Sequence, residues 1–410
     1  MSKPKIAIVS FPGNNCEVES IRAIKNADME PIFFRWNDDI AKLADIDGYF
    51  IPGGFSYEDR GRAGMVAARD PLLTHIKAEA GRGKVVIGNC NGAQILIESG
   101  LIPHADELEM SLAHNVSDGE ATGFINEWVW ITPSCAQDRC CTSNWEGAMH
   151  MPIAHGEGRF TTKDPSLMEK LQSNNQIAFQ YCDELGFVSE DSSVTPNGST
   201  LAIAGICNPE GNVVALMPHP ERTPLGDAYF KSVKNWIESH PATKESGVVK
   251  NNNSQSITLP ERKAEGEELF IDTVIVNNEE RTVEQAAKAL VSDITVKQLR
   301  YIKLSGASLD SVLGKISIFN PIKETAYIRR GSVFTKWNAD TKTEDEHGSV
   351  LDGIAILRRD DPDTGAAEIG KGTQTGICYV CTGATNDEVQ KTDVMSIFGN
   401  PHASTLELLV

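Results

Sequence analysis

Along the first 240 residues, apolar runs alternate with amphipathic stretches, which predicts strands and helices in turn. Ile6-Ala7-Ile8-Val9 is an uninterrupted apolar run of strand length. Val18–Ala27 follows, with Val18, Ile21, Ile24 and Ala27 spaced to share one helix face. Pro31-Ile32-Phe33-Phe34 and Tyr49-Phe50-Ile51 read as the next strands. A long helix is expected around Gly64–Ala80, and Val85-Val86-Ile87 is a further strand. This alternation predicts an α/β fold with a mostly parallel sheet flanked by helices on both faces. Ligands in such sheets bind at the carboxyl ends of the strands. Residues 105–160 interrupt the pattern with a strand-like Ile125–Ile131. Ala178–Tyr181 and Ser199–Ile206 read as later strands. Phe230, Val233, Trp236 and Ile237 mark an amphipathic helix that closes a first domain, 1–240.

The pattern then changes. Residues 241–268 contain Asn251-Asn252-Asn253-Ser254-Gln255-Ser256, then Pro260, then the charged run Glu261–Glu268, and read as a flexible linker. Residues 269–410 carry a faint repeat that predicts a smaller α+β region. Ser317-Ile318-Phe319-Asn320-Pro321 returns as Ser396-Ile397-Phe398-Gly399-Asn400-Pro401. Strand candidates precede each copy, Phe270–Val276 and Leu299–Leu304 for the first, Gly353–Leu357 and Thr375–Cys381 for the second. Thr325–Ile328 and Thr405–Leu409 follow. Two units, 269–335 and 345–410, are therefore expected.

Candidate chemistry sits at the ends of the predicted strands. Lys84–Gln94 runs strand, sharp turn, helix, with Cys90 at the apex of Gly88-Asn89-Cys90-Asn91-Gly92. The arrangement parallels a nucleophile elbow with sulfur in place of oxygen. A cysteine at a helix start lies among backbone N–H groups that favour its thiolate. Val213–Arg222 is another apolar strand, ending in His219-Pro220-Glu221. His219 could carry the proton and Glu221 could orient the imidazole. Gly53-Gly54 follows a strand, and its amides, with that of Asn91, could stabilise an oxyanion.

Five segments in this order resemble the glutaminase subunit or domain of phosphoribosylformylglycinamidine synthase, a class I, triad-type glutamine amidotransferase of flavodoxin-like architecture. They are Phe11–Glu17, Pro52–Asp59, Gly88–Leu96, Pro152–Phe160 and Met217–Arg222. The resemblance implies that Cys90 attacks the side-chain amide of L-glutamine, with His219 as acid and base and Glu221 as its partner. It implies an oxyanion hole and glutamine site at Gly53, Gly54, Phe55, Asn91 and Gln94. It also places Asn15, His155, Glu157 and Arg159 at the cleft or a partner interface. The ammonia would pass to a synthetase subunit that makes formylglycinamidine ribonucleotide from formylglycinamide ribonucleotide, in purine biosynthesis. ATP and Mg would be held by that partner, and no cofactor is expected on this chain. The chain departs from the family pattern at Glu58-Asp59-Arg60-Gly61, where a small residue, Asp, Tyr or Val, and Leu are expected. Pro133–Trp145 diverges too. Phe319-Asn320-Pro321-Ile322-Lys323-Glu324 resembles the small structural subunit of the same synthase. Residues 269–410 would then be a tandem, ferredoxin-like adaptor standing in for that subunit, and otherwise an unrelated interaction region.

Composition narrows these readings. The chain has 410 residues, a formal net charge of −19 and 40% hydrophobic residues. That suits a folded protein of two or three domains and argues against nucleic acid or a membrane surface as partner. No leader is expected, no apolar run approaches the ~20 residues of a membrane span, and a cytoplasmic setting is expected. The nine cysteines tempt a metal reading at Cys135, Cys140 and Cys141, and at Cys378-x-x-Cys381. Neither set has a complete zinc ligand pattern, so no metal is expected. Two alternatives stay open on the residues alone. One is another Cys-His hydrolase of the same fold; the other is a non-catalytic scaffold of the synthase complex.

Overall fold

The structure is a computed structural model that describes residues 3–104, 108–243, 254–370 and 372–410. The chain divides into two units, Met1–Asn252 and Asn253–Val410. Among the described residues, no helix is long and apolar enough to cross a membrane.

The first unit is built on nine strands: β1 (Lys5–Ser10), β2 (Glu30–Arg35), β3 (Gly48–Ile51), β4 (Val85–Asn89), β5 (Ile125–Pro133), β6 (Met149–His155), β7 (Ile177–Cys182), β8 (Ile203–Cys207) and β9 (Val213–Leu216). Their order is β2-β1-β3-β4-β9-β8-β7-β5-β6. The strands from β2 to β9 in that order run parallel. The remaining pairs are antiparallel. The sheet is thus mixed rather than mostly parallel. The central β3, β4 and β9 are buried throughout, which is why their sequences are apolar without alternation. β5 instead alternates, with Trp128 exposed beside buried Val129, because only one of its faces meets the core.

Helices α1 (Glu17–Asn26), α2 (Pro71–Ala80), α3 (Asn91–Glu98), α4 (Pro165–Ser173) and α5 (Asp227–Ser239) complete the unit. Two expectations are corrected here. Val18 is 74% exposed; the buried stripe of α1 runs through Ser20, Ala23 and Ile24. The helix expected from Gly64 begins only at Pro71. The proline forces extended geometry on Asp70, whose carboxylate then caps the helix by accepting from the Leu72 N–H at 2.9 Å.

The second unit is one nine-stranded sheet with an internal symmetry. Its strands are β10 (Glu261–Arg262), β11 (Glu268–Thr273), β12 (Thr295–Lys303), β13 (Glu324–Arg330), β14 (Val333–Asn338), β15 (Thr343–His347), β16 (Ile354–Asp360), β17 (Gln374–Thr382) and β18 (Ser404–Leu409). The order is β10-β18-β16-β17-β12-β11-β13-β14-β15. Two antiparallel triplets, β12-β11-β13 and β17-β16-β18, meet where β12 pairs with β17 from Thr295↔Thr382 to Lys303↔Gln374. The repeated Asn-Pro turns adopt the same hydrogen bonding. The Asn320 side chain accepts from Ile322 N–H and its carbonyl from Lys323 and Glu324. Asn400 accepts likewise from His402, Ala403 and Ser404. Helix α6 (Asn278–Lys288) packs on β12, and the helix Thr392–Phe398 packs against α6.

The expected linker is shorter than 241–268. Residues 244–253 lie outside the described residues, but 256–268 are already tied to the second unit. Ser256 bridges to Lys391, β10 pairs with β18, and Glu268 opens β11. The charged run Glu261–Glu268 is expected to be part of a flexible linker, yet Arg262 and Glu268 are largely buried and face each other at 3.9 Å.

Candidate active site

Cys90 stands between β4 and α3 with φ 52° and ψ −109°, a strained conformation that turns the chain sharply. The flanking glycines serve this turn by letting backbone approach backbone. A side chain on Gly92 would strike the Ile51 carbonyl at 2.0 Å, and one on Gly88 the Gly92 carbonyl at 2.5 Å. They therefore permit close packing of α3 on β3 and β4. As the first residues of α3, Asn91, Gly92 and Ala93 have N–H groups without intrahelical acceptors. The Cys90 thiol points to the Ala154 carbonyl at 3.6 Å.

His219 lies just past β9, its backbone N–H held by the Pro152 carbonyl at 2.9 Å. Its Nδ1 meets Glu221 Oε1 at 2.5 Å, and the other Glu221 oxygen accepts from Asn89 Nδ2 at 3.0 Å. Asn89 is fixed in turn by the Tyr229 hydroxyl, 3.2 Å from its Oδ1. Burial disfavours a charged His219 ring, but the Glu221 carboxylate, with the thiols of Cys90 and Cys16, outweighs it. The ring is held well above the ordinary histidine range. Glu221 is likewise opposed by burial but held low by His219. His219 Nε2 is buried and makes no hydrogen bond.

Gly53 marks where these groups converge. A β-carbon there would lie 2.6 Å from His219 Cε1, 3.2 Å from Cys16 Sγ and 3.3 Å from Cys90 Cβ. Gly54 bridges to Asn14 through the bonds Asn15 N–H to Gly53 O and Phe55 N–H to Gly13 O. In such an antiparallel bridge the N–H of Gly54 itself points away from residues 11–15. Its φ of 142° and the 2.6 Å approach of Asn14 Cα require glycine.

The remaining expected residues divide. Phe55 has its N–H engaged, so it is not an oxyanion donor; its ring is exposed and stacks on Phe124 with centroids 6.3 Å apart. Gln94 has both ends of its amide satisfied, by Asn91 Nδ2 at 2.9 Å and the Glu157 carbonyl at 2.5 Å, so it braces Asn91 rather than facing a substrate. Asn91 is buried, and its Oδ1 accepts from the Ser56 N–H at 3.0 Å. Asn15 is exposed at the rim and accepts from the Cys16 thiol. His155 is buried: its Nδ1 meets Asn115 Oδ1 at 3.1 Å, and desolvation, with the nearby His219 charge, lowers it to about 3. Glu157 is half-buried, and its carboxylate accepts from the Ala63 N–H at 3.3 Å. Arg159 donates to the His114 carbonyl at 2.9 Å, bracing the strand pair Ser111–His114 and Glu157–Thr161.

The divergent loop adds a strained segment. Tyr57, Glu58 and Asp59 all have φ between 52° and 58°, unusual for residues with side chains. Asp59 Oδ1 lies 3.4 Å from Asn91 Nδ2, and burial with the nearby Glu157 charge pushes its carboxyl up to about 7. Cys378 and Cys381, three apart on β17, point to opposite sheet faces and cannot grip one ion together. Sequence reasoning missed Asn89, Tyr229, Cys16 and Arg222. Asn89 was within reach, being the residue before the nucleophile, whereas the others are brought in only by packing.

A family model described as a CobB/CobQ-like glutamine amidotransferase domain matches residues 3–270. The phosphoribosylformylglycinamidine synthase subunit PurQ of Methanothrix thermoacetophila is 43% identical over 225 residues, 53% of this chain and 86% of that protein. The subunit of the same name from Pyrococcus furiosus is 39% identical over 243 residues, 57% of this chain and 99% of that protein. A chain in the structure of PurLQS from Thermotoga maritima is 33% identical, covering 57% of this chain and 99% of that chain with a TM-score of 0.46. By motif order, elbow geometry, the family model and the two relatives, the chain belongs to the glutamine amidotransferases, in the family of the phosphoribosylformylglycinamidine synthase subunit PurQ.

Proposed function

We propose that the chain is the glutaminase component of phosphoribosylformylglycinamidine synthase, with Cys90 as nucleophile. The observation that carries this is the convergence of Cys90, His219 and the Glu221 carboxylate beside Gly53, at the carboxyl ends of β3, β4 and β9. The Cys90 thiolate attacks the side-chain amide carbon of glutamine. The developing oxyanion meets the N–H groups of Asn91 and Gly54. Protonated His219 gives its Nε2 proton to the departing nitrogen, so ammonia leaves and a glutamyl thioester remains. Water then attacks while neutral His219 takes a proton. Glutamate departs, and the thiolate–imidazolium pair is restored. Glu221, fixed by Asn89 and Tyr229, holds the ring in the tautomer that leaves Nε2 facing the reaction.

The ammonia passes to a synthetase subunit that uses ATP and Mg to convert formylglycinamide ribonucleotide to formylglycinamidine ribonucleotide. In this reading the chain itself holds no cofactor, and the complex works in the cytoplasm. Residues 269–410 serve as a built-in adaptor for that complex. The two-triplet sheet and its paired Asn-Pro turns support a duplicated, dimer-like module rather than a second catalytic centre.

The test is glutamate release from glutamine by wild type and Cys90→Ala, each with and without the synthetase subunit, ATP and formylglycinamide ribonucleotide. Release that requires Cys90 and rises in the full mixture supports the reading. Release that persists in Cys90→Ala overturns it.

A further inference from the structure

Cys16 occupies the N-cap of α1, where a serine, threonine, aspartate or asparagine would accept from the first free N–H groups of the helix. Its side chain makes no such bond. The backbone is pinned, because the Cys16 carbonyl accepts from the Ser20 N–H at 3.0 Å and the Ser20 hydroxyl at 2.7 Å. The residue is fully buried, and its sulfur has two partners. The thiol donates to Asn15 Oδ1 at 3.2 Å, and Arg222 Nη2 donates to the sulfur at 2.9 Å. A β-carbon on Gly53 would lie 3.2 Å from this sulfur and 2.6 Å from His219 Cε1, so the two meet at one point. Cys16 Sγ, a His219 ring nitrogen and a Glu221 oxygen all lie within 4.8 Å of one another.

The thioester chemistry gives Cys16 no step, but it leaves the imidazole with two needs. The first is orientation. A single hydrogen bond, from Nδ1 to Glu221, leaves the ring free to tilt about that bond, and tilting carries Nε2 away from Cys90. A neighbour at the Cε1 corner removes that freedom. The second is charge. Arg222 follows His219 by three residues, and its N–H is held by the His219 carbonyl at 3.2 Å. Among the described residues its guanidinium forms no ion pair, its Nε is buried without a hydrogen bond, and its Nη2 bonds to the Cys16 sulfur. Without that sulfur a cation stands unanswered near a ring that works as an imidazolium. We propose that Cys16 is a positioning residue of the glutaminase: held by Arg222 and Asn15, its sulfur seats the His219 ring against Gly53 with Nε2 turned toward Cys90, and it separates the Arg222 charge from the imidazolium. No bond is made or broken at Cys16. The groups that act on His219 are Glu221, Cys90 and Cys16, with His155 as a further neighbour, and a pH effect of a Cys16 variant is read against these. What the ring does rests on the glutaminase reading; how it is held does not.

The test uses the full chain and two readouts. The first is the rate at which iodoacetamide alkylates Cys90 across about pH 5 to 9, followed by the mass of the Cys90 peptide so that other thiols do not enter. In Cys16→Ala the pH of half-maximal rate should rise by at least about half a unit, the scale of one net hydrogen bond, because the imidazolium that accompanies the Cys90 thiolate is disfavoured. The second is glutamate release with the synthetase, ATP and formylglycinamide ribonucleotide. There kcat of Cys16→Ala should fall at least about fivefold, with KM within about twofold of wild type. Removing the charge as well, in Cys16→Ala with Arg222→Gln, should bring the alkylation profile back toward wild type, a relief that lost packing alone does not give. Cys16→Ser keeps an acceptor for Arg222 and should fall between wild type and Cys16→Ala. An alkylation profile of Cys16→Ala that superposes on wild type would overturn the proposal. So would a raised KM with kcat unchanged, which would place Cys16 on the substrate. If the alanine protein does not fold, the Cys16→Ser profile decides the same question, a shift supporting the proposal and superposition overturning it. A wild-type enzyme that releases no glutamate would count against the functional reading and leave the alkylation comparison standing.

Discussion

Both units bury charge, and they do so to opposite effect. In the second unit Glu268 is wholly inside the sheet, 3.7 Å from Arg329 and 3.9 Å from Arg262, and accepts from the Tyr301 hydroxyl at 2.7 Å. Arg329 closes the group by donating to the Val410 carbonyl at 2.5 Å. Positive and negative charges there answer one another across β10, β11 and β13. In the first unit the buried pair His219–Glu221 is satisfied on one side only. Glu221 is held at both oxygens, while His219 Nε2 is left bare beside a thiol in space cleared by Gly53. Burial alone therefore does not mark a site. Glu268 Oε2 and Arg329 Nη1 also lack a hydrogen bond, but they face each other as opposite charges across 3.7 Å and so are scaffold, whereas His219 Nε2 faces a thiol instead of a charge and is poised for chemistry.

The largest expected effects break the first unit's arrangement. Cys90→Ala should abolish glutamate release while the assembled synthase still uses added ammonia. His219→Ala should slow release by roughly 100- to 10,000-fold, the range of general acid–base catalysis. Glu221→Ala should cost less than His219→Ala, because Glu221 acts through the imidazole rather than on glutamine. The rate of glutamate formation with saturating synthetase measures all three. If Glu221→Ala proved as damaging as Cys90→Ala, the orienting role would be too small an account.

The matching change in the second unit should leave the chemistry alone. Glu268→Leu strands Arg329 and Arg262 in the sheet interior. Removing one partner from a buried ionic group typically costs about 3–5 kcal/mol. Denaturant unfolding should show that loss, while Cys90-dependent turnover per folded molecule stays near wild type. A fall in turnover without a fall in stability would show that the second unit takes part in glutamine hydrolysis.

The contrast also explains what was legible in the sequence. The elbow, the His-x-Glu and the double glycine were readable because each follows an apolar strand, and parallel strands deliver their ends to one edge. Asn89 and Tyr229 complete the Glu221 cage from residues 132 and 140 positions away from their partners. Cys16 meets Arg222 across 206 positions. No local pattern encodes such pairings. Phe55 and Gln94 were assigned to the substrate by motif, but backbone bonding and a neighbouring amide had already claimed their polar groups. The charged Glu261–Glu268 run reads as flexible linker because few apolar residues interrupt it. Only its register against β18 and β12 shows that Arg262 and Glu268 answer each other. The Asn-Pro repeat was visible because both copies need the same side-chain-capped turn before a strand.

The smallest expected effect concerns the strained loop beside Asn91. Asp59 is raised from 3.8 to about 7 by burial and then by the Glu157 charge, so it is held in a state the unfolded chain does not share. Between pH 4 and 7 the folded protein keeps this proton and the unfolded chain has lost it. The folded state thus binds more protons, and the contribution of Asp59 to stability must fall as pH rises through that window. Asparagine keeps the shape without a titrating group. Asp59→Asn should therefore flatten that part of the stability-versus-pH curve, measured by denaturant unfolding from pH 4 to 8, and gain most relative to wild type above pH 7. His155 sets the opposite sign in the same unit. Lowered to about 3, it stays neutral when folded, so its contribution is complete above its ordinary value of 6.5 and is lost as pH falls toward 3. The two groups pull the acid limb in opposite directions, so the double variant Asp59→Asn with His155→Asn separates them. If Asp59→Asn left the slope unchanged, its carboxyl would be ionised across the whole window, and the loop would be held by charge rather than by a shared proton.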